Sequence, residues 1–130
     1  MKAFADTSYF IALTQPHDQW ARKAMAVDSR AIEFVTSNLI ISETVSLLQS
    51  RGFLSQALEF LRAARMSNDL LVVYVDANLQ SEAWDLFIRY AGAGANAVDC
   101  ASFAVMRRFH IKRALTFDQH FKKAGFSIIE

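Results

Sequence analysis

Four carboxylates stand where a carboxylate is either costly or consequential: Asp6, Glu43, Asp99 and Asp118. Asp6 follows the apolar run Ala3-Phe4-Ala5, and Asp118 follows Ala114-Leu115-Thr116-Phe117. Both runs read as strands, and in open parallel sheets the carboxyl ends of strands border the ligand crevice. Taken singly, each aspartate reads first as an N-cap or turn residue. Glu43 has Leu39, Ile40 and Leu47 as helical neighbours, so its carboxylate emerges among side chains that face the core. An unpaired carboxylate there needs a cation or strong donors; the competing reading is a glutamate that snorkels at the helix edge. Asp99 lies three residues after Asn96, the spacing of an N-cap followed by an acid in the first turn, which is compatible with a place at the mouth of the sheet. If the four converge, their charges repel unless neutralised. Oxygen ligands without a histidine or cysteine cluster suit Mg²⁺ or Mn²⁺ rather than zinc. Such ions serve phosphate chemistry, where they activate a water and stabilise a leaving oxygen.

The rest of the chain has to position these groups. Glu33 to Thr36 and Leu70 to Val75 read as further strands, the second β-branched and uninterrupted enough to be buried on both faces. Helices are expected over Asp18 to Val27, from Ser37 or Asn38 to about Arg51, and along the stripe Leu54, Ala57, Leu58 and Leu61. Two more follow, over Leu79 to Tyr90 and Ala97 to Phe109, the second capped by Asn96. A short helix after Asp118 and a last strand over Phe126 to Ile129, closing the sheet, complete the pattern. Strands separated by helices imply parallel pairing, right-handed crossovers and a three-layer α/β fold.

At 130 residues, with 53% apolar and 21% charged residues, the chain has the composition of one compact domain rather than a disordered or linker-rich protein. No repeat or Gly/Ser linker divides it. The single cysteine, Cys100, excludes an internal disulfide and a cysteine-based zinc cluster, and suits a reducing compartment. No apolar run approaches the ~18 residues that span a bilayer, and Asp6 interrupts the one candidate for a signal sequence, so a soluble cytoplasmic protein is expected. The net charge of +1 hides an asymmetry. Residues 66–100 carry one basic and five acidic groups, whereas residues 101–130 carry six basic and two acidic ones. Arg107, Arg108, Lys112, Arg113, Lys122 and Lys123 therefore either track a polyanion such as an RNA backbone or form a solvated face.

The segments Phe4-Ala5-Asp6-Thr7-Ser8, Ser42-Glu43-Thr44, Ala97-Val98-Asp99-Cys100-Ala101 and Leu115-Thr116-Phe117-Asp118 together resemble the PIN-domain ribonucleases. Among these, the resemblance is to the VapC-type toxins of toxin–antitoxin operons. It spans nearly the whole chain, and the run from Asn96 to Phe126 is its most telling part. It implies a single PIN-like domain over residues 1–130, with a mainly parallel central sheet of about five strands flanked by helices. The implied activity is metal-dependent hydrolysis of RNA that leaves a 5′-phosphate and a 3′-hydroxyl. Carried over residue by residue, Asp6, Glu43, Asp99 and Asp118 hold Mg²⁺ or Mn²⁺. Thr7 orients a ligand or water, and Thr116 supports the site from behind. The implied partners are an RNA substrate and a cognate antitoxin that covers the acidic site. The apolar stripes at Leu54 to Leu61 and Leu79 to Tyr90 exceed what one small core absorbs, and this adds the expectation of a homodimer. Many relatives carry further acidic or polar residues where this chain has Ala93-Gly94-Ala95-Asn96, so no extra ligand is expected there.

Other chemistries find less support. His17, His110 and His120 are too scattered for a metal motif; His120, two residues after Asp118, is close enough in sequence to lie near the pocket, but reads first as a surface histidine. Cys100 reads as a small buried thiol. No nucleophile–base pairing and no phosphate-binding glycine loop is visible. A phospho-receiver domain has the right length, but no lysine stands at a strand end as that fold needs. A non-catalytic PIN-like module that binds RNA or protein is the rival reading; loss of one acid would favour it, and all four are present.

Overall fold

The computed structural model describes residues 1–130. Four strands, β1 (Lys2–Ala5), β2 (Glu33–Ser37), β3 (Leu70–Val73) and β4 (Ala114–Leu115), form one parallel sheet in the order β3-β2-β1-β4. Phe4 pairs with Val35, Ala5 with Leu115, and Phe34 with Leu70. The helices are α1 (Thr7–Thr14), α2 (Ala21–Met25), α3 (Asn38–Ser50), α4 (Leu54–Met66), α5 (Ala77–Tyr90), α6 (Ala97–Arg108) and α7 (Gln119–Lys123). One group, α1 to α4, packs together, and α5 and α6 pack against each other as a second.

The order of strands explains where a site can form. From β1 the chain winds outward to β2 and β3 on one side, then returns to lay β4 against the other side of β1. Order reverses between β1 and β4, and such a reversal opens a crevice beyond the carboxyl ends of the two strands. Asp6 and Asp118 follow those two ends.

The core is continuous from sheet to helices. Phe4, Leu115, Phe103, Met106, Phe121, Ile40 and Leu79 are all fully buried. In α6 every residue from Asp99 to Met106 is buried, and the small side chains of Ala101 and Ala104 let this helix sit deep. The one cysteine, Cys100, lies in that stretch; burial and the neighbouring Asp99 push its thiol pKa up, which leaves it unreactive.

Four elements depart from the sequence-based expectation. The strand expected over Leu70 to Val75 and buried on both faces is the shorter β3 at the edge of the sheet, with Leu71 half-exposed, because no strand lies beyond it to cover that side. Helix α1 was not anticipated, because Thr7-Ser8-Tyr9-Phe10-Ile11-Ala12 is rich in aromatic and β-branched residues and is buried on nearly all sides. A helix apolar all round has no periodic stripe to announce it. The helix expected over Asp18 to Val27 shrinks to α2, as residues 15–20 form turns. The C-terminal segment lies beside β4 as expected, with Ala114 N–H donating to Ser127 O and Ile129 N–H to Thr116 O, but it makes a single bridge, Arg113 to Ser127, rather than a full strand.

Candidate active site

Asp6 leaves β1 in extended backbone and occupies the N-cap position of α1, yet its side chain makes no capping bond. Its carboxylate is instead held from the other strand. Thr116 Oγ1 donates to Asp6 Oδ2 at 2.7 Å, and Ser8 Oγ reaches the same oxygen at 3.4 Å. Ser8 Oγ also lies 3.1 Å from Thr116 Oγ1 and accepts from the Phe117 N–H. The ends of β1 and β4 are thus laced by one threonine and one serine. No local signal in the sequence marks Ser8, because its partners Thr116 and Phe117 lie more than a hundred residues away.

Glu43 comes from α3. It is half-buried rather than enclosed, and accepts from Thr7 Oγ1 at 2.6 Å. Thr7 is buried, and Thr44 Oγ1 stands 3.5 Å behind it. Asp99 begins α6 in a full capping box: Asp99 N–H donates to Asn96 Oδ1 at 2.8 Å, and Asn96 N–H to Asp99 Oδ2 at 3.0 Å. Asp118 caps α7, accepting from the His120 N–H at 2.9 Å on Oδ1. Both aspartates therefore do the capping that their spacing suggested, and each spends only one oxygen on it. In all four carboxylates one oxygen is tied to the protein and the other is left without an aligned donor.

The four groups sense one another. Burial pushes the Asp6 pKa up to about 7, a rise that the Thr116 hydroxyl partly offsets and the charges of Asp99 and Glu43 reinforce. Burial likewise raises Asp99 to about 6, with Asp118 and Glu43 adding to it and His120 opposing. No lysine or arginine pairs with any of the four. His120 is the one cationic candidate beside them, and this corrects its reading as a surface histidine. Its Nδ1 lies 2.7 Å from Asp118 Oδ1 and 3.9 Å from Asp99 Oδ2. That nitrogen is buried, and its approach to Asp118 lacks the alignment of a hydrogen bond. Ligand atoms of Asp99, Asp118 and His120 all lie within 4.8 Å of one another. Hard carboxylate oxygens joined by a buried nitrogen with no aligned partner fit a divalent cation.

His120 is held on its far side by Gly94. This glycine has φ +100°, and a Cβ placed on it would stand 2.7 Å from His120 Nε2. Gly94→Ala is therefore expected to lose roughly 1–3 kcal/mol of stability, from backbone strain and from displacing the imidazole. Urea unfolding measures this; an unchanged midpoint would show that the ring and loop yield freely.

Most of the basic residues fall elsewhere. Arg107 and Arg108 end α6, about 12 Å along the helix from Asp99. Lys112 and Arg113 precede β4, whereas Asp118 follows it. Arg108 is committed to Glu82 at 3.0 Å and lies 4.0 Å from Asp76. Lys122 pairs with Glu130. Helix and strand length thus set Arg107, Arg108, Lys112 and Arg113 at a distance from the acids, whereas Lys122 and Lys123 lie on α7, the helix that Asp118 caps.

Comparison with known proteins agrees with this geometry. The PIN domain family matches residues 3–127. The 23S rRNA-specific endonuclease VapC20 of Mycobacterium tuberculosis is 35% identical over 131 aligned residues, covering 95% of this chain and 94% of the relative. The crystal structure of that protein, described as a sarcin–ricin loop cleaving toxin, superposes with a TM-score of 0.88 at 34% identity, covering 95% of each chain. A toxin–antitoxin complex from Klebsiella pneumoniae shares the fold at 12% identity and a TM-score of 0.70, covering 98% of this chain and 96% of that one. VapBC2 from Rickettsia felis, bound to a promoter DNA fragment, does so at 11% identity and a TM-score of 0.71, covering 98% and 97%. With its sequence matched over nearly its full length and its acids gathered at the strand-order reversal, the chain belongs to the PIN-domain family, in its VapC-type branch.

Proposed function

We propose that this protein is a divalent-metal-dependent endoribonuclease and the toxin half of a toxin–antitoxin pair. The observation that carries this reading is that Asp99, Asp118 and His120 bring ligand atoms within 4.8 Å of one another, with Asp6 and Glu43 near enough for their charges to act on the same site, and that no lysine or arginine pairs with any of the four carboxylates. Asp6, Glu43, Asp99 and Asp118 would hold the ion, with His120 at the edge of the set. An imidazole among the ligands makes Mn²⁺ a better match than Mg²⁺, which prefers oxygen alone. When bound, the ion supplies Lewis-acid stabilisation of phosphate charge and a water of lowered pKa.

The chain's own residues supply order. Thr116 and Ser8 fix one oxygen of Asp6, Thr7 fixes one of Glu43, and Asn96 fixes one of Asp99. Each free oxygen is thereby pre-aimed, so little reorganisation remains at the moment of reaction. Hydrolysis would leave a 5′-phosphate and a 3′-hydroxyl. The likeness to VapC20 makes the sarcin–ricin loop of 23S rRNA the first substrate to try. Incubation of that labelled loop with protein and Mn²⁺ should give a defined cut that chelation prevents. Intact loop under these conditions would contradict the substrate, and intact RNA of every kind would contradict the activity.

Arg107, Lys112 and Arg113 would then contact a large RNA at a distance from the cut, not at it. For partners, we propose a cognate antitoxin and a second copy of the chain. Leu54 and Leu58 of the first stripe are 53% and 50% exposed, whereas Leu79, Ala83 and Leu86 of the second are buried in the core, which leaves Ile88, 82% exposed, on the outer face of that helix. Light scattering at micromolar concentration should give a dimer. A monomer, with no partner recovered on native purification, would count against both.

A further inference from the structure

Beside the carboxylates lies a feature that the hydrolytic chemistry leaves unused. Trp20 and Phe117 stack face to face, with centroids 5.0 Å apart and planes 6° from parallel. Both pack against the edge of the core and are only half-buried, so part of the pair stays exposed. Phe117 immediately precedes Asp118, and its N–H donates to the same Ser8 Oγ that reaches Asp6. Trp20 enters from the start of α2, where its N–H donates to Asp18 Oδ2 at 2.9 Å in a turn that sets the direction of the chain. One turn on, the exposed Lys23 holds its ammonium 5.5 Å from the indole centroid. Lys23 pairs with no carboxylate, and the exposed Arg22 next to it is equally free.

A half-exposed aromatic pair with an unpaired, displaceable ammonium over one ring is a combination that takes a base of single-stranded nucleic acid. Every base has a π-face to stack, and its phosphate lies within reach of the cation. A buried structural pair would need no such cation. We propose that Trp20, Phe117 and Lys23 form a stacking subsite for one unpaired nucleobase of the RNA, next to the scissile phosphate. Lys23 moves from the indole to a phosphate as the base arrives. The inference rests on the ribonuclease reading and narrows its substrate: the RNA must offer an unpaired base beside the cut, as a loop or single strand does. Continuous duplex keeps its bases stacked within the helix and cannot.

The chain has two tryptophans, so Trp84→Phe leaves Trp20 as the only indole. In an Asp6→Asn, Trp84→Phe background with Mg²⁺, a short single-stranded oligoribonucleotide should quench Trp20 emission saturably. A blunt duplex of the same sequence should not, and adding Lys23→Ala should weaken the quenching. In cleavage assays on the parent background, Trp20→Leu should raise KM roughly 5- to 150-fold with kcat nearly unchanged. Trp20→Phe, which keeps a stacking face, should restore most of the loss. If Trp20→Leu fails to fold, the fluorescence titration decides alone. Unchanged Trp20 emission at saturating oligonucleotide, with RNA still cut by the parent, overturns the subsite and leaves the nuclease reading standing. Equal quenching by duplex and single strand also overturns it. Quenching by single strands alone, with no cleavage by the parent under any metal, supports the subsite and counts against the nuclease reading.

Discussion

Asp6→Asn is expected to lower RNA cleavage by a hundred- to a thousandfold or more, roughly the scale on which one preorganised electrostatic partner acts, while making the metal-free protein more stable above pH 7. The two effects share one cause. Asp6 sits 6% exposed among other carboxylates, and its pKa is raised from 3.8 to about 7. The folded state therefore holds the proton more tightly than the unfolded chain does. Its contribution to stability is fully present below about pH 4 and is lost as pH rises through about 7, at about 1.4 kcal/mol per pH unit, or roughly 4 kcal/mol in all. An amide carries no such charge, and its oxygen still accepts from Thr116. The parent should lose stability between pH 4 and pH 8, and the variant should lose much less. Chemical denaturation at the two pH values, beside a cleavage assay, checks both halves. A variant that is less stable at pH 8 and still cuts RNA would identify Asp6 as a structural residue.

Mn²⁺ should raise the melting temperature of the parent strongly at pH 8 and weakly at pH 5. At a hundredfold excess over Kd, a ligand that binds only the folded state stabilises it by about 2.7 kcal/mol, or roughly 10 °C for a domain of this size. At pH 5 protons occupy Asp6 and Asp99, whose pKa values are about 7 and about 6, so the ion must displace them. Differential scanning calorimetry with and without Mn²⁺ at both pH values reads this out. Equal shifts at the two pH values would place the ion elsewhere on the surface.

The sequence disclosed the parts of this site that have a local signature. Asp6 and Asp118 were legible because each ends an apolar run, Asp99 because of its spacing from Asn96, and Glu43 because it interrupts a helical apolar face. The alternation of strands and helices likewise disclosed the parallel sheet. What stayed hidden depends on contacts across the chain. Ser8 matters through Thr116, Phe117 and Asp6, and only the pairing of β1 with β4 brings these together. His120 looked exposed because nothing nearby in sequence covers it; the loop at Gly94 does so in space. The basic residues divide for a related reason: α6 and β4 set Arg107, Arg108, Lys112 and Arg113 at a distance from the acids, Glu82 already answers Arg108, and Lys122 and Lys123 stay on α7 behind Asp118.

Electron paramagnetic resonance of Mn²⁺ shows whether these four carboxylates hold a divalent ion. Free aqueous Mn²⁺ gives a sharp multi-line signal that binding broadens away, so a titration counts the ions taken up per chain. The parent at pH 7.5 should remove Mn²⁺ saturably, and Asp6→Asn and Asp99→Asn should each abolish or greatly weaken the uptake. A parent that leaves the free signal untouched at millimolar Mn²⁺, or variants that bind as the parent does, would contradict the account.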